Sequence, residues 1–190
     1  YLCKAKTLSV MENPKWNTEQ IKIVSNFSEL VKTPFQNKNN ALCWKREIQG
    51  DFKEIVSKLS LYEDITEVTA EDLLELNLTF EGNLARNIIL EDLRLLQEFG
   101  AQPSLNLLKC YERDDEFDFI STDVYSYHVD RSELLIDTYL CTYHGAASDI
   151  IANDEVIQKI KIPEVRTQLL ALQDNPNEDF ETFAKENFFD

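Results

Sequence analysis

The chain has 190 residues, of which 43% are hydrophobic and 11% aromatic, and these values predict a single globular domain spanning residues 1–190. Its 19 lysines and arginines against 35 aspartates and glutamates give a net charge of −16, which disfavours nucleic acid and anionic membrane surfaces as partners. No apolar run approaches the roughly 20 residues that cross a bilayer, and the N-terminus lacks a secretory signal pattern, so we expect a cytoplasmic protein.

The first hundred residues are predicted to be mainly helical after an N-terminal arm. Residues 1–40 are mixed in character and suggest this arm or an outer layer, with short elements only. In the mainly helical region, residues 41–100, a short apolar strand at 41–44 precedes a helix at 52–59. Thr69 is predicted to cap a short helix that follows it.

The strongest helix signal lies at residues 83–99. Apolar side chains form one broad stripe there, and Gly100 follows in the position that commonly ends a helix. The charged residues are expected mostly on the opposite side: Arg86, Glu91, Asp92, Arg94 and Glu98. The stripe comprises Leu84, Ala85, Ile88, Ile89, Leu93, Leu95, Leu96 and Phe99.

The second half of the chain is predicted to hold a β core, residues 101–150, and a helical tail, residues 151–190. Helices followed by antiparallel strands describe an α+β fold. The predicted strands are 104–112, 119–129 and 134–144, and the predicted tail helices are 155–160, 164–172 and 178–189. The acidic link at 113–118 resembles a calcium-loop fragment, but it lacks the central glycine and closing glutamate of an EF-hand, which favours a solvated loop.

The chemistry of the sequence centres on His128 and Asp130. Side chains two apart on an extended strand project from the same face, so this imidazole and carboxylate can bind one metal ion together. They would supply two of the three ligands of a facial triad of two histidines and one carboxylate, the usual site for non-haem iron(II). The alternative is a structural role without metal binding, in which the two side chains only stabilise a turn at the end of a strand.

The other histidine, His144, does not complete this site. If strands 119–129 and 134–144 formed a hairpin, His144 would lie about 30 Å from His128 along the strand. Pairing of Cys141 with His144 as a nucleophile and base is also disfavoured, because strand residues three apart face opposite ways. The four cysteines are dispersed without a CxxC motif, and we expect them to be reduced and mostly buried.

Two sequence blocks resemble an uncharacterised bacterial family, the domain of unknown function 1826. Residues 127–130 are Tyr-His-Val-Asp, where the family has Phe-His-Val-Asp, and residues 142–145 are Thr-Tyr-His-Gly, matching its Thr-Tyr-x-Gly block at the same spacing. Residues 146–150, Ala-Ala-Ser-Asp-Ile, resemble the rest of that block more weakly. An upstream Trp-x-Arg piece, here at 44–46, and the long helix are also similar.

The family's HxD block is similar to the first metal motif of iron(II)- and 2-oxoglutarate-dependent oxygenases. The resemblance therefore implies a cupin-like, antiparallel double-stranded β-helix core with flanking helices. It implies iron(II) held by His128 and Asp130, with 2-oxoglutarate as a second cofactor. Apart from Arg131, Arg166 is the arginine that follows the HxD block, and a guanidinium suits the oxoacid's far carboxylate. The alternative for Arg166 is a surface charge near Glu164.

One departure from the family keeps two functions open. Family members continue to a late histidine, whereas this sequence has no histidine after His144. The first hypothesis is a metal-binding protein of the oxygenase-like type, whose substrate the sequence does not identify. The alternative is a non-catalytic, acidic interaction protein or metal-homeostasis accessory protein on the same scaffold.

Overall fold

The computed structural model describes residues 4–8, 19–114, 116–128, 137–151, 153–175 and 177–188. They form two compact units, which we describe separately. The sheet unit comprises Lys4–Tyr111 and Asp137–Ser148, and the C-terminal unit takes the described residues of Glu112–Ile136 and Asp149–Asp190. Compactness does not measure independent folding, so the single domain stays a prediction.

A four-stranded sheet forms the first part of the sheet unit. Its strands are β1 (Lys4–Leu8), β2 (Ile21–Val24), β3 (Ala41–Trp44) and β6 (Asp137–Cys141). Their order is β2-β3-β1-β6, and every neighbouring pair is parallel. In β3, Ala41, Leu42 and Cys43 are buried and Trp44 is partly buried, as expected for a strand inside a parallel sheet.

A second, two-stranded sheet pairs β4 (Ile65–Glu67) with β5 (Asn106–Leu108) in antiparallel fashion. Strand β5 lies inside the predicted strand 104–112. The sheet unit also contains α1 (Phe27–Lys32), α2 (Phe52–Lys58), α3 (Ala70–Glu75) and α4 (Phe80–Phe99). The helices expected at 52–59 and after Thr69 are therefore confirmed, and so is the strand at 41–44.

The boundaries of α3 and α4 follow from their capping residues. Thr69 forms a capping box with Asp72, in which each side chain bonds the other residue's backbone. Helix α4 begins at Phe80, three residues earlier than predicted, because the Thr79 hydroxyl accepts a hydrogen bond from the Gly82 N–H. It ends at Gly100, whose φ of 96° is the left-handed conformation that glycine adopts readily.

Two apolar clusters stabilise the sheet unit. The first lies between α2, α3 and α4, and its buried members are Phe52, Ile55, Val68, Leu73, Ala85 and Ile89. The second lies between the parallel sheet and α1, and its buried members are Val24, Leu30 and Leu42. Among the described residues, no helix is long and apolar enough to cross a membrane.

The C-terminal unit contains α5 (Pro163–Leu172) and α6 (Phe180–Asn187), which confirm two of the predicted tail helices. The third, at 155–160, is wrong: two short 3₁₀ turns, Asn153–Glu155 and Lys159–Lys161, take its place. The apolar cluster of this unit has Ile120, Leu169, Phe180, Phe183, Ala184 and Phe188 as its buried members.

The predicted strand 119–129 is not observed in its described part, residues 119–128, which form turns and bends. The Asp123 carboxylate accepts a hydrogen bond from the Tyr125 N–H at 3.0 Å, an Asx turn that competes with strand formation. Strand β6, inside the predicted strand 134–144, instead pairs with β1. The described strands do not close into a barrel, and the double-stranded β-helix stays a prediction.

Candidate functional site

His128 lies in the C-terminal unit with an exposed side chain. Its Nδ1 atom is 2.7 Å from the backbone carbonyl oxygen of Ser126. A carbonyl oxygen only accepts, so Nδ1 is the protonated nitrogen of this contact and Nε2 carries the lone pair of the neutral ring. Histidines that bind metals commonly make this hydrogen bond, because it fixes the tautomer and the orientation of the ring.

The backbone before His128 is held in place by Asp123. The Oδ1 atom of Asp123 accepts from the Tyr125 N–H, and Oδ2 accepts from the Asp114 N–H at 3.2 Å. The Ser126 hydroxyl donates to the Asp123 carbonyl oxygen at 2.9 Å. Burial acts to raise the pKa of Asp123, but the hydrogen bonds from these two amides, a hydrogen bond with the Ser121 side chain and the charge of Arg113 together leave that pKa below its usual value. Asp123 therefore stays ionised and holds the turn at neutral pH.

A cavity of about 360 Å³ lies beside this turn in the same unit. Its walls carry both signs of charge, from Arg113 and Lys159 and from three aspartates, together with the rings of Phe117 and Phe119. Lys159 Nζ donates to the Ser121 carbonyl oxygen at 3.3 Å, and the Arg113 guanidinium lies 4.4 Å from the centroid of the Tyr125 ring. The lining of this pocket is therefore charged and aromatic, and the pocket is partly open to solvent.

The other predicted site residues have separate outcomes. Asp130 lies outside the described residues, so its pairing with His128 stays a prediction. Arg166 is on α5, where its guanidinium carbon lies 4.0 Å from the ring centroid of Phe180, the first residue of α6. Within the part of the chain that the structure describes, no group of three or more histidine, cysteine, aspartate or glutamate side chains is arranged to hold a metal ion.

The sheet unit contains a buried polar cluster that the sequence analysis missed. Asp92, on α4, is only 4% exposed. Its Oδ1 atom accepts from Arg46 Nη1 at 2.8 Å, and its Oδ2 atom accepts from Arg46 Nη2 and, at 2.8 Å, from the Tyr143 hydroxyl. We call these three residues the Asp92 cluster. The expectation that Asp92 lies opposite the apolar stripe is wrong: it is on the buried face, where Arg46 and Tyr143 cover it and Arg46 neutralises its charge.

Aromatic rings enclose the Asp92 cluster. The Arg46 guanidinium lies 4.4 Å from the centroid of the Trp44 ring, and the Tyr143 ring stacks on Phe52 with centroids 5.6 Å apart and planes at 13°. Burial, and then electrostatic interaction with Cys141 and with Asp92, raises the pKa of Tyr143 far above its usual value, so the phenol remains a hydrogen-bond donor.

The neighbouring thiol is not activated by this arrangement. Burial raises the pKa of Cys141 to about 11, which outweighs the hydrogen bonds from Tyr143 and Arg46 that act to lower it. A thiol of this pKa is protonated at neutral pH and is a poor nucleophile. Cys43, Cys110 and Cys141 are all free cysteines, as expected for reduced thiols.

A signal for the Asp92 cluster is present in the sequence. The buried residues of α4 are Gly82, Ala85, Ile89 and Asp92, with steps of three, four and three residues. This spacing follows one face of a helix, so position 92 belongs to the buried stripe although it carries a carboxylate. An acidic residue in a core position predicts that a cationic side chain lies beside it in the core.

The Asp92 cluster joins three segments that were noted for their resemblance to the bacterial family. Arg46 ends the Trp-x-Arg piece, Asp92 lies on the long helix, and Tyr143 belongs to the Thr-Tyr-x-Gly block. In this structure the three residues hydrogen-bond to one another and so hold the three segments together. No protein-family model, curated protein or solved structure matches the chain, so the resemblance itself stays a prediction.

Proposed function

We propose that the chain is a metal-binding protein of the iron(II)- and 2-oxoglutarate-dependent oxygenase-like type, with His128 and Asp130 as two of the metal ligands. The observation that supports this proposal is the hydrogen bond between His128 Nδ1 and the Ser126 carbonyl oxygen, 2.7 Å long, on an exposed imidazole. It sets the ring so that Nε2 would be the coordinating nitrogen. Iron(II) bound with open coordination positions would supply the binding and activation of dioxygen.

The residues available at the site are chemically suited to such an ion. An imidazole and a carboxylate are ligands that iron(II) accepts, together with other divalent metals of the first transition row. The Asx turn at Asp123 and the Ser126 hydroxyl fix the backbone that presents the imidazole, which lowers the entropy lost on binding. The preference for iron over zinc or manganese is a further part of the proposal and rests on the resemblance.

A metal-loading experiment tests the proposal with a matched control. Purified protein is loaded anaerobically with iron(II), desalted and analysed for bound metal, as wild type, His128→Ala and His144→Ala. The chain has only these two histidines, so the second variant controls for the loss of any imidazole. We expect His128→Ala to lose most of the bound iron and His144→Ala to retain it. Equal iron in wild type and His128→Ala would reject the proposal.

The second candidate is a non-catalytic accessory or interaction protein on the same scaffold. It is favoured by Arg166, since the arginine proposed for the oxoacid packs on the Phe180 ring. A turnover assay separates the two candidates: release of carbon dioxide from 2-oxoglutarate is measured for wild type and Asp130→Asn. Decarboxylation that is lost in the variant would exclude the accessory role, and absence of decarboxylation by iron-loaded wild type would exclude the oxygenase.

We further propose that the protein acts in the cytoplasm and binds no nucleic acid. The net charge of −16 supports the second statement, because a strongly negative protein repels phosphate backbones. Titration of a fluorescent duplex DNA at low salt tests the second statement, with no change in anisotropy as the expected result.

A further inference from the structure

The chain enters the sheet unit twice. It leaves that unit after Tyr111 and re-enters it at Asp137, so residues 137–148 are separated in sequence from the rest of the unit. We call residues 137–148 the returning segment. The described residues between these two passages, 112–114 and 116–128, belong to the C-terminal unit and include His128.

The returning segment contributes only partly buried side chains to the two apolar clusters of the sheet unit: Tyr139 and Cys141 at the sheet cluster, and Tyr143 at the helical one. All buried members of the cluster around α2, α3 and α4 come from residues 52–89, and Tyr143 is only a partly buried neighbour of that cluster. Among the described strands, β6 pairs with β1 alone, so it forms an edge of the sheet. Loss of the segment would therefore leave the helical core of the unit in place.

Side chains on one face of the returning segment attach it to the helices. Tyr139 lies edge-on to Phe99, at the end of α4, with centroids 6.0 Å apart. Tyr143 stacks on Phe52 and donates its hydroxyl to Asp92. Among these attachments, the hydrogen bond to Asp92 is the one made to a buried charge, and such bonds contribute more than bonds between neutral groups.

We infer that the returning segment opens and closes on the sheet unit as a separate cooperative element, and that the Asp92 cluster is the contact that holds it closed.

Hydrogen exchange measured by mass spectrometry on the full chain tests this inference. Tyr143→Phe removes the hydroxyl and keeps the ring that stacks on Phe52. Tyr62→Phe is the matched control, because Tyr62 is 83% exposed. We expect the amides of 137–143 to exchange about tenfold faster or more in Tyr143→Phe, with the amides of 83–96 on α4 unchanged. We expect no change at either place in the control.

Two results would overturn the inference. If the amides of 83–96 accelerate by the same factor as those of 137–143, the segment opens only when the whole unit unfolds. If the amides of 137–143 are unchanged, the hydrogen bond does not hold the segment. Asp92→Asn is a second variant, and we expect it to accelerate exchange of 137–143 further than Tyr143→Phe does. The Tyr143→Phe result decides alone if Asp92→Asn does not fold.

Discussion

Glu54 on α2 binds Thr79, the residue that caps α4, through both its backbone and its side chain. The Thr79 N–H donates to Glu54 Oε1 at 3.0 Å, and the Thr79 hydroxyl donates to Oε2 at 2.6 Å. Lys58 Nζ lies 2.7 Å from Oε1. A carboxylate near a helix N-terminus is also stabilised by the helix dipole. Lys58 first, and then Thr79, lower the pKa of Glu54 to about 2.

The first prediction concerns acid stability. Because the folded-state pKa of Glu54 lies below the unfolded value, its stabilising effect is present above the unfolded pKa of about 4.3 and is lost as the pH falls through about 2. Urea unfolding of wild type and Glu54→Gln should therefore show a clear difference in midpoint at pH 7 that disappears near pH 2. A difference of the same size at both pH values would contradict the role of the charge.

The second prediction compares two glycines with positive φ. Gly50 has φ of 115°, and a Cβ there would lie 2.5 Å from the backbone nitrogen of Ala85 on α4. Gly100 has φ of 96° and nothing within 4 Å of such a Cβ. We expect Gly50→Ala to lower the free energy of unfolding by about 2–5 kcal/mol, the conformational cost plus the overlap, and Gly100→Ala to lower it by about 1–2 kcal/mol.

Chemical denaturation of both glycine variants checks that comparison. Equal losses would show that the backbone of α4 moves away from residue 50 at little cost. A loss at Gly100 larger than that at Gly50 would contradict the close approach altogether.

The third prediction concerns the overall stability contributed by the Asp92 cluster. Asp92→Ala leaves the half-buried Arg46 guanidinium without its carboxylate, so we expect the free energy of unfolding to fall by about 3–5 kcal/mol. Asp64→Ala is a suitable comparison, because Asp64 pairs with Lys109 while its side chain is 59% exposed. We expect a much smaller effect there, since exposed pairs are screened by water. Similar losses in the two variants would argue against a special role for burial.

The fourth prediction separates packing from ligand binding at Arg166. If its contact with the Phe180 ring is the main interaction, Arg166→Met should lower the free energy of unfolding by about 0.5–1 kcal/mol without any ligand present. Lys161→Met makes the same change of charge on a residue that is exposed, and it should be nearly neutral. Unchanged stability of Arg166→Met, combined with lost binding of 2-oxoglutarate in calorimetry, would instead support the cofactor role.

Local signals in the sequence predicted helices α2 to α6, whereas the helix expected at 155–160 was wrong and α1 was not predicted. The apolar stripe and Gly100 defined α4, and Thr69 followed by Asp72 defined the start of α3. These features depend on residues a few positions apart, so the sequence contains them directly. The start of α4 was placed late because its capping residue, Thr79, precedes the apolar stripe by several residues.

Features that depend on distant residues were not predictable in the same way. Alternation suggested that β6 is a strand but not that it pairs with β1, more than 130 residues earlier in the chain. The strand expected at 119–129 is not observed in its described part, 119–128, where the Asp123 carboxylate accepts a hydrogen bond from the Tyr125 N–H, an interaction that an alternating pattern does not reveal. For the candidate site, the sequence identified His128, whereas its bond to Ser126 follows from that same unpredicted turn.

The double passage of the chain through the sheet unit has a practical consequence for expression. A gene fragment ending at codon 111 encodes every buried residue of the α2–α4 core but omits β6 and Tyr143. Its product would expose Asp92, together with the Phe52 ring, to solvent. A fragment that carries 137–148 ahead of residue 4 would restore those residues in one polypeptide, but it would need an added crossover linker of about a dozen residues or more, because β6 and β1 are parallel.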